Sequence, residues 1–146
     1  MEGIFRAPRG FGEVVEGEAL VSADAFSPRY DLDRRTGIVS RNGHAIEGQS
    51  IVGKVLIVPT AKGGVAAGWA FYDLKQRGLA PAAIICQLVN PVFVQGCVLA
   101  RIPIIHQCSP PPLSLRSGDI VRLDPRKGEL RLIKYGTEYY EKANLA

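Results

Sequence analysis

The stretch Val55-Leu-Ile-Val-Pro-Thr-Ala-Lys-Gly-Gly-Val-Ala-Ala-Gly-Trp69 decides the fold of this chain. Its opening residues form an apolar, largely β-branched run that reads as a buried strand ending at Pro59. A small glycine-rich turn carrying Lys62 follows. From Ala67 to Arg77 the apolar residues fall at 67, 70, 71 and 74, the spacing of a helix face, and Gly78 supplies a C-terminal stop. A strand, a glycine-rich turn and a helix in succession expose backbone N–H groups at the helix start, where an anion is favoured. The turn is therefore the first place to look for chemistry.

Working outward, Ala82-Ala-Ile-Ile-Cys86 reads as the next buried strand, and the tight strand–helix–strand connections imply parallel pairing. Asn90-Pro91 marks a turn, Val92 to Ala100 a short helix, and Arg101-Ile-Pro-Ile-Ile105 a further strand. Pro103 argues against a central position for that strand's first half. Pro110-Pro-Pro112 is a stiff extended segment. Ser117 to Leu123 and Gly128 to Ile133 alternate apolar and polar residues and form a hairpin through Asp124-Pro-Arg-Lys-Gly128. Upstream, Glu18 to Ser22 is a short strand. Asp24 to Gly48 is a long polar connection with a brief strand at Gly37-Ile-Val-Ser40, and a connection of that length in a compact domain is commonly functional. The pattern predicts an α/β domain with a central β-α-β-α-β unit, peripheral strands, two sheet layers and the helices on one side. Residues 1–12 read as an irregular arm, 13–134 as the domain and 135–146 as a polar tail.

A chain of 146 residues suits one domain with a core of its own. The net charge of +4 invites a nucleic-acid reading, but the basic residues are scattered and no aromatics interleave with them. A mildly basic surface facing an acidic partner or substrate fits better. No apolar run approaches the roughly 18 residues of a membrane span, and the start lacks an apolar leader. Cys86, Cys97 and Cys108 lie too far apart for a zinc or redox motif. They read as small buried hydrophobes in a reducing, cytoplasmic setting.

The groups able to meet a small anion at the turn are few. Thr60 offers a hydroxyl hydrogen bond. Lys62 offers a point charge for a carboxylate or phosphate or, once desolvated, a base. The N–H groups of Gly63 and Gly64 suit an oxyanion, with Val65 completing the substrate-binding turn. The plainer alternative is a solvated lysine on a tight turn. In the long connection, Arg29, Tyr30 and Asp31 form a second polar cluster. Arg29 is suited to clamp a carboxylate and Tyr30 to donate a proton or stack, unless the loop's charges simply pair with each other. Asn90, at the end of a parallel strand, is placed either to orient a substrate or to make a turn. His44 reads as a turn-stabilising residue, and His106 follows an apolar strand toward a site or a partner.

Gly17-Glu-Ala-Leu-Val-Ser22, Asp33 to Gly37, His44 to Gly48, Gly53-Lys-Val-Leu-Ile-Val-Pro59, Gly78-Leu-Ala-Pro81, Gly96 to Pro103 and Ser117-Gly-Asp119 recur in an order that resembles the small, swivelling subunit of the aconitase X family. The likeness spans residues 13–133. It implies a three-layer β/β/α swivel domain like the mobile domain of aconitase. It also implies no cofactor on this chain and a larger partner subunit carrying an iron–sulfur cluster. Relatives in this family are hydro-lyases, acting on cis-3-hydroxy-L-proline in bacteria and on a phosphorylated mevalonate in archaea. Two departures stand out. The family's catalytic serine aligns with Gly64, and Ser27-Pro-Arg-Tyr30 stands where relatives tend to have Trp-Gly-Gly.

The resulting expectation is the small subunit of a heteromeric hydro-lyase or isomerase acting on a small hydroxy acid such as a hydroxyproline. Lys62 and Thr60 are the catalytic candidates. Arg29, Tyr30, Asp31, Gly63, Gly64, Val65 and Asn90 are the binding candidates. The alternative is a non-catalytic anion-binding or regulatory domain that has lost the serine. A phosphocarrier would need an exposed phosphorylatable histidine, and the setting of His44 argues against one.

Overall fold

The computed structural model describes residues 3–136. Along them run β1 (Ile4–Arg6), β2 (Val15–Val21), β3 (Leu32–Asp33), β4 (Ile38–Val39), β5 (Val55–Thr60), α1 (Val65–Gln76), β6 (Ala83–Leu88), α2 (Pro91–Leu99), β7 (Ile104–His106), β8 (Ile120–Asp124) and β9 (Glu129–Lys134). Seven of these strands make one sheet in the order β1-β9-β8-β2-β5-β6-β7, while β3 and β4 form a small ladder of their own. Residues Val55 to Val58 are all buried, as a strand covered on both faces requires. β5 pairs in parallel with β2 and β6, setting Leu56 opposite Leu20 and Ile84, and β6 pairs in parallel with β7. The expected β-α-β-α-β unit is thus β5-α1-β6-α2-β7.

β2 belongs to both halves of the sheet. Its first residues, Val15 to Glu18, run antiparallel to β8, and its last, Ala19 to Val21, run parallel to β5. The pleat then sorts side chains into two cores. Leu56, Val58, Ile84 and Cys86 point to the helices and meet Phe71, Leu74 and Phe93. Phe71 and Phe93 join α1 to α2 edge-to-face at 5.1 Å between centroids. Val55, Ile57, Ile85 and Ile105 point the other way, against Phe5, Val121, Leu123 and Leu130 of the antiparallel half. Helices, parallel half and antiparallel half are the three layers expected.

Several expectations are corrected. The arm at residues 1–12 is not irregular throughout: β1 pairs with β9, and the chain beyond it reaches the opposite edge of the sheet. Arg6 and Ser109 exchange backbone hydrogen bonds of 3.2 and 2.6 Å, and Phe11 and Ile104 exchange bonds of 3.0 and 2.9 Å. The segment therefore bridges both sheet edges, satisfying backbone groups that would otherwise be open. Gly10 makes this approach possible, because a Cβ there would overlap the Ile104 carbonyl. The connection from Asp24 to Gly48 is less polar in place than in sequence, since Phe26, Leu32, Val39 and Ile46 enter the helix-side core.

α1 begins at Val65, two residues before its first core contact. Asn90-Pro91 is not a simple turn but the cap and first residue of α2. β7 starts after Pro103 and is an edge strand, as the missing N–H demands. Arg101 instead ends α2 in a left-handed conformation with φ 56°. At the other end, the Gly136 N–H donates to Asp119 Oδ1 at 2.8 Å, so the segment past residue 134 is tied to the sheet there. The rest of the expected tail, 137–146, lies outside the described residues. Among those described, no helix is long and apolar enough to cross a membrane.

Candidate functional site

The turn after β5 is gripped from both sides. Ala61 N–H donates to the Leu88 carbonyl at the end of β6 (3.2 Å). On the other side, Phe26 N–H donates to the Thr60 carbonyl (3.0 Å) and Lys62 N–H to the Phe26 carbonyl (2.9 Å). Thr60 is half-buried as the last residue of the ladder, opposite Leu88. Gly63 has φ +125°, and a Cβ on it would lie 2.5 Å from the Ala67 Cβ. Glycine is required there for space and for backbone conformation alike. Gly64 differs. It is the N-cap of α1 at φ −108°, it provides no side-chain cap, and a Cβ on it would meet nothing within 4 Å. A serine would fit this position.

Behind the turn lies Asp31, fully buried. Its Oδ2 accepts from Ser27 N–H (2.7 Å) and its Oδ1 from Arg41 Nη1 (3.1 Å). The Lys62 ammonium stands 3.9 Å from Oδ2, with its own side chain half exposed. The ammonium stands beside the start of α1, so its charge and the positive end of the helix dipole have the same sign. α1 has no acidic residue in its first turn to oppose it.

The other candidates divide. Asp31, expected on the substrate, is fully buried, and its carboxylate faces Arg41 and Lys62. Asn90 also has an internal task rather than a substrate to orient. Its Oδ1 accepts from Phe93 N–H (2.8 Å) as the cap of α2, and its Nδ2 donates to the Gly63 carbonyl (3.1 Å), so it holds the turn. Arg29 stacks on Tyr30 with 5.1 Å from guanidinium to ring centroid, and the pair lies on the surface. Val65 is 66% exposed at the mouth of the turn. His44 Nε2 donates to the Ala25 carbonyl (2.9 Å) while its Nδ1 accepts from Ile46 N–H (3.3 Å). These partners assign the neutral Nε2–H tautomer and give the ring a structural role.

Two residues escaped the sequence reading. Arg41 is the direct ion partner of Asp31. Ser27 is buried, its Oγ accepts from Arg29 N–H (3.3 Å) and Tyr30 N–H (3.4 Å), and it lies 3.9 Å from where a Gly63 Cβ would stand. The signal for Ser27 was present as a serine two residues before the loop's arginine, the pattern of a local hydroxyl turn.

The cysteines do not fit an iron–sulfur ligand set. Cys86, Cys97 and Cys108 are free and buried. Burial pushes the Cys86 thiol up to about 12 and the Cys108 thiol up to about 11, and it raises that of Cys97 as well. Thiolates, the form that binds iron, are disfavoured at all three. Among the described residues no group of three or more His, Cys, Asp and Glu is assembled to hold a metal.

Comparison with known proteins bears on the family and the fold. The family model described as "Aconitase X swivel domain" matches residues 4–132, a span that includes β1. The phosphomevalonate dehydratase small subunit of Methanosarcina acetivorans is 38% identical over 120 residues, 82% of this chain and 83% of the relative. That of Pyrococcus abyssi is 36% identical over 126 residues, 86% of this chain and 95% of the relative. The crystal structure of Thermococcus kodakaraensis aconitase X in its holo-form superposes with a TM-score of 0.83 at 32% identity. It covers 90% of this chain and 98% of that one. Sequence and architecture therefore agree, and the chain belongs to the aconitase X swivel-domain family.

Proposed function

We propose that this chain is the small, swivelling subunit of a two-subunit dehydratase, and that its 60–64 turn binds the anionic end of a small hydroxy acid. The observation that carries the reading is Lys62, poised at a helix start that has no side-chain cap. A phosphate or carboxylate is the natural occupant of such a start. The relatives named as phosphomevalonate dehydratase small subunits make a phosphorylated hydroxy acid the first substrate to test. A hydroxyproline, the example expected from sequence, has no support among these relatives and comes second.

Dehydration needs a base for a proton and an acid or Lewis acid for the departing hydroxyl. Gly64 offers neither. In this reading Lys62 and Thr60 hold and orient the substrate's anion, and closure of the turn against the larger subunit excludes water. The larger subunit would hold the iron–sulfur centre, which would supply the Lewis acid for the hydroxyl, and that subunit would also supply the base that takes the proton. Three free cysteines suit a reducing, cytoplasmic setting.

The test is to purify the chain anaerobically with its partner and assay loss of water from phosphomevalonate and from hydroxyprolines. Turnover by the complex and none by the chain alone is expected. Metal-free turnover by the isolated chain would overturn the proposal. Gly64 also favours a second reading, an anion-binding domain without chemistry. If the wild-type complex binds phosphomevalonate without dehydrating it, and the Gly64→Ser complex gains turnover, the second reading holds.

A further inference from the structure

We infer that the outer face of the α1–α2 pair is the surface on which the larger subunit docks, an inference that rests on the two-subunit reading above. The sequence has no charged residue between Lys62 and Asp73, and none between Arg77 and Arg101. All of α2 and the first two turns of α1 lie inside those gaps. α2 buries Phe93, Gly96 and Cys97 inward, yet its outward side also carries Val92, Val98 and Leu99. Gln95 is the one polar side chain on that outward side, and an exposed helix side so largely apolar is normally covered.

The neighbouring face of α1 adds Trp69, 64% exposed, packed edge-on against Tyr72 at 6.1 Å. Between the helices runs a shallow groove of about 150 Å³, floored by Gly68 and Gly96 and walled by Trp69 and Leu99. The helices approach closely there: a Cβ on Gly68 would come within 3.1 Å of the Gly96 Cα. An uncharged, aromatic-bearing centre bordered by Lys62, Asp73 and Arg101 has the composition of an interface core with its charged rim.

The position of the face selects the occupant. It begins at Val65, the residue that directly follows the anion-binding turn, so a chain seated on it also closes over Lys62. Relatives of this chain carry the name small subunit, which entails a larger chain. A second copy of this chain would cover the same turn with another uncharged helix pair and bring no group to the reaction.

Trp69 is the only tryptophan in the chain, so biosynthetic replacement by 5-hydroxytryptophan places a selectively excited probe on this face. Acrylamide quenching of that probe should fall several-fold when the co-purifying larger subunit is added back. The double variant Trp69→Asp, Leu99→Asp should weaken the complex about 30-fold or more, the scale of a hot-spot loss. Its thermal unfolding should stay close to wild type, since both side chains are exposed. A wild-type complex that forms with unchanged quenching, and that the double variant forms equally well, overturns the inference and leaves the two-subunit reading intact. Absence of any complex with wild-type chain overturns that reading and the inference together. A self-dimer of the isolated chain that the double variant dissolves assigns the face to a second copy and overturns it too.

Discussion

α1 and α2 follow adjacent parallel strands and lie side by side, but their first turns are built in opposite ways. α2 starts behind Asn90, whose side chain caps Phe93 N–H, and has Pro91 as its first residue, where no N–H is needed. Its start is closed by the protein itself. α1 starts behind Gly64, which has no side chain to cap with, and Lys62 stands beside it. The asymmetry is organised: the amide of Asn90 that closes one start also holds the Gly63 carbonyl of the other. One helix start is capped by a side chain and the other is not.

Forcing the two helices apart gives the largest effect. Gly96→Val places side-chain carbon against the Gly68 backbone, and the strain of forcing the helices apart should cost about 3 kcal/mol in urea-induced unfolding. An unchanged midpoint would mean that the helices do not meet through these glycines. Removing the charge at the open start comes next. Lys62→Met should weaken phosphate or phosphomevalonate binding by the complex about 10- to 100-fold, with little change in stability because the side chain is half exposed. Retained affinity would place the anion elsewhere.

Opening the closed start has a smaller cost. Asn90→Ala should lose about 1 kcal/mol of stability, and amide exchange should quicken at Phe93 and around Gly63. A loss confined to α2 would show that the two starts are not coupled. Closing the open start is the mildest change. Gly64→Ser supplies a cap in free space and should alter stability by only about a few tenths of a kcal/mol, measured by thermal unfolding. Marked destabilisation would show that position 64 needs glycine after all.

The β5-α1-β6 region was legible in the sequence because its signals are local. Apolar runs, helical spacing and Gly78 need no distant partner to be read. The first twelve residues were not legible, because β1 and Phe11 pair through backbone with β9, Ser109 and Ile104, and such pairing leaves little mark on side-chain pattern, with Phe5 and Phe11 adding apolar contacts to the cores. The long connection misled in the same way. Its buried Phe26, Leu32 and Ile46 are spaced too irregularly to show a period, and they are gathered only when the loop folds onto the helices.

The surroundings of the candidate residues were less legible than the elements that carry them. Arg29, Tyr30 and Asp31 look like one cluster by adjacency, yet the turn set by Ser27 sends Asp31 inward and leaves the other two outside. Asn90 looks like a ligand for substrate until both ends of its amide are seen to be used. Gly63 and Gly64 are indistinguishable by composition.

By itself the sequence determined the α/β class, the glycine-rich turn between β5 and α1 and the absence of a serine from that turn, since these depend on residue identity and short-range spacing. Only the tertiary structure decided that Asp31 stands behind Lys62, that Gly63 must be glycine while Gly64 need not be, and that β1 and the chain just beyond it join both sheet edges. Those facts depend on which distant backbone segments come into contact. Contact of that kind is fixed by packing the two cores together, not by any local preference of the chain.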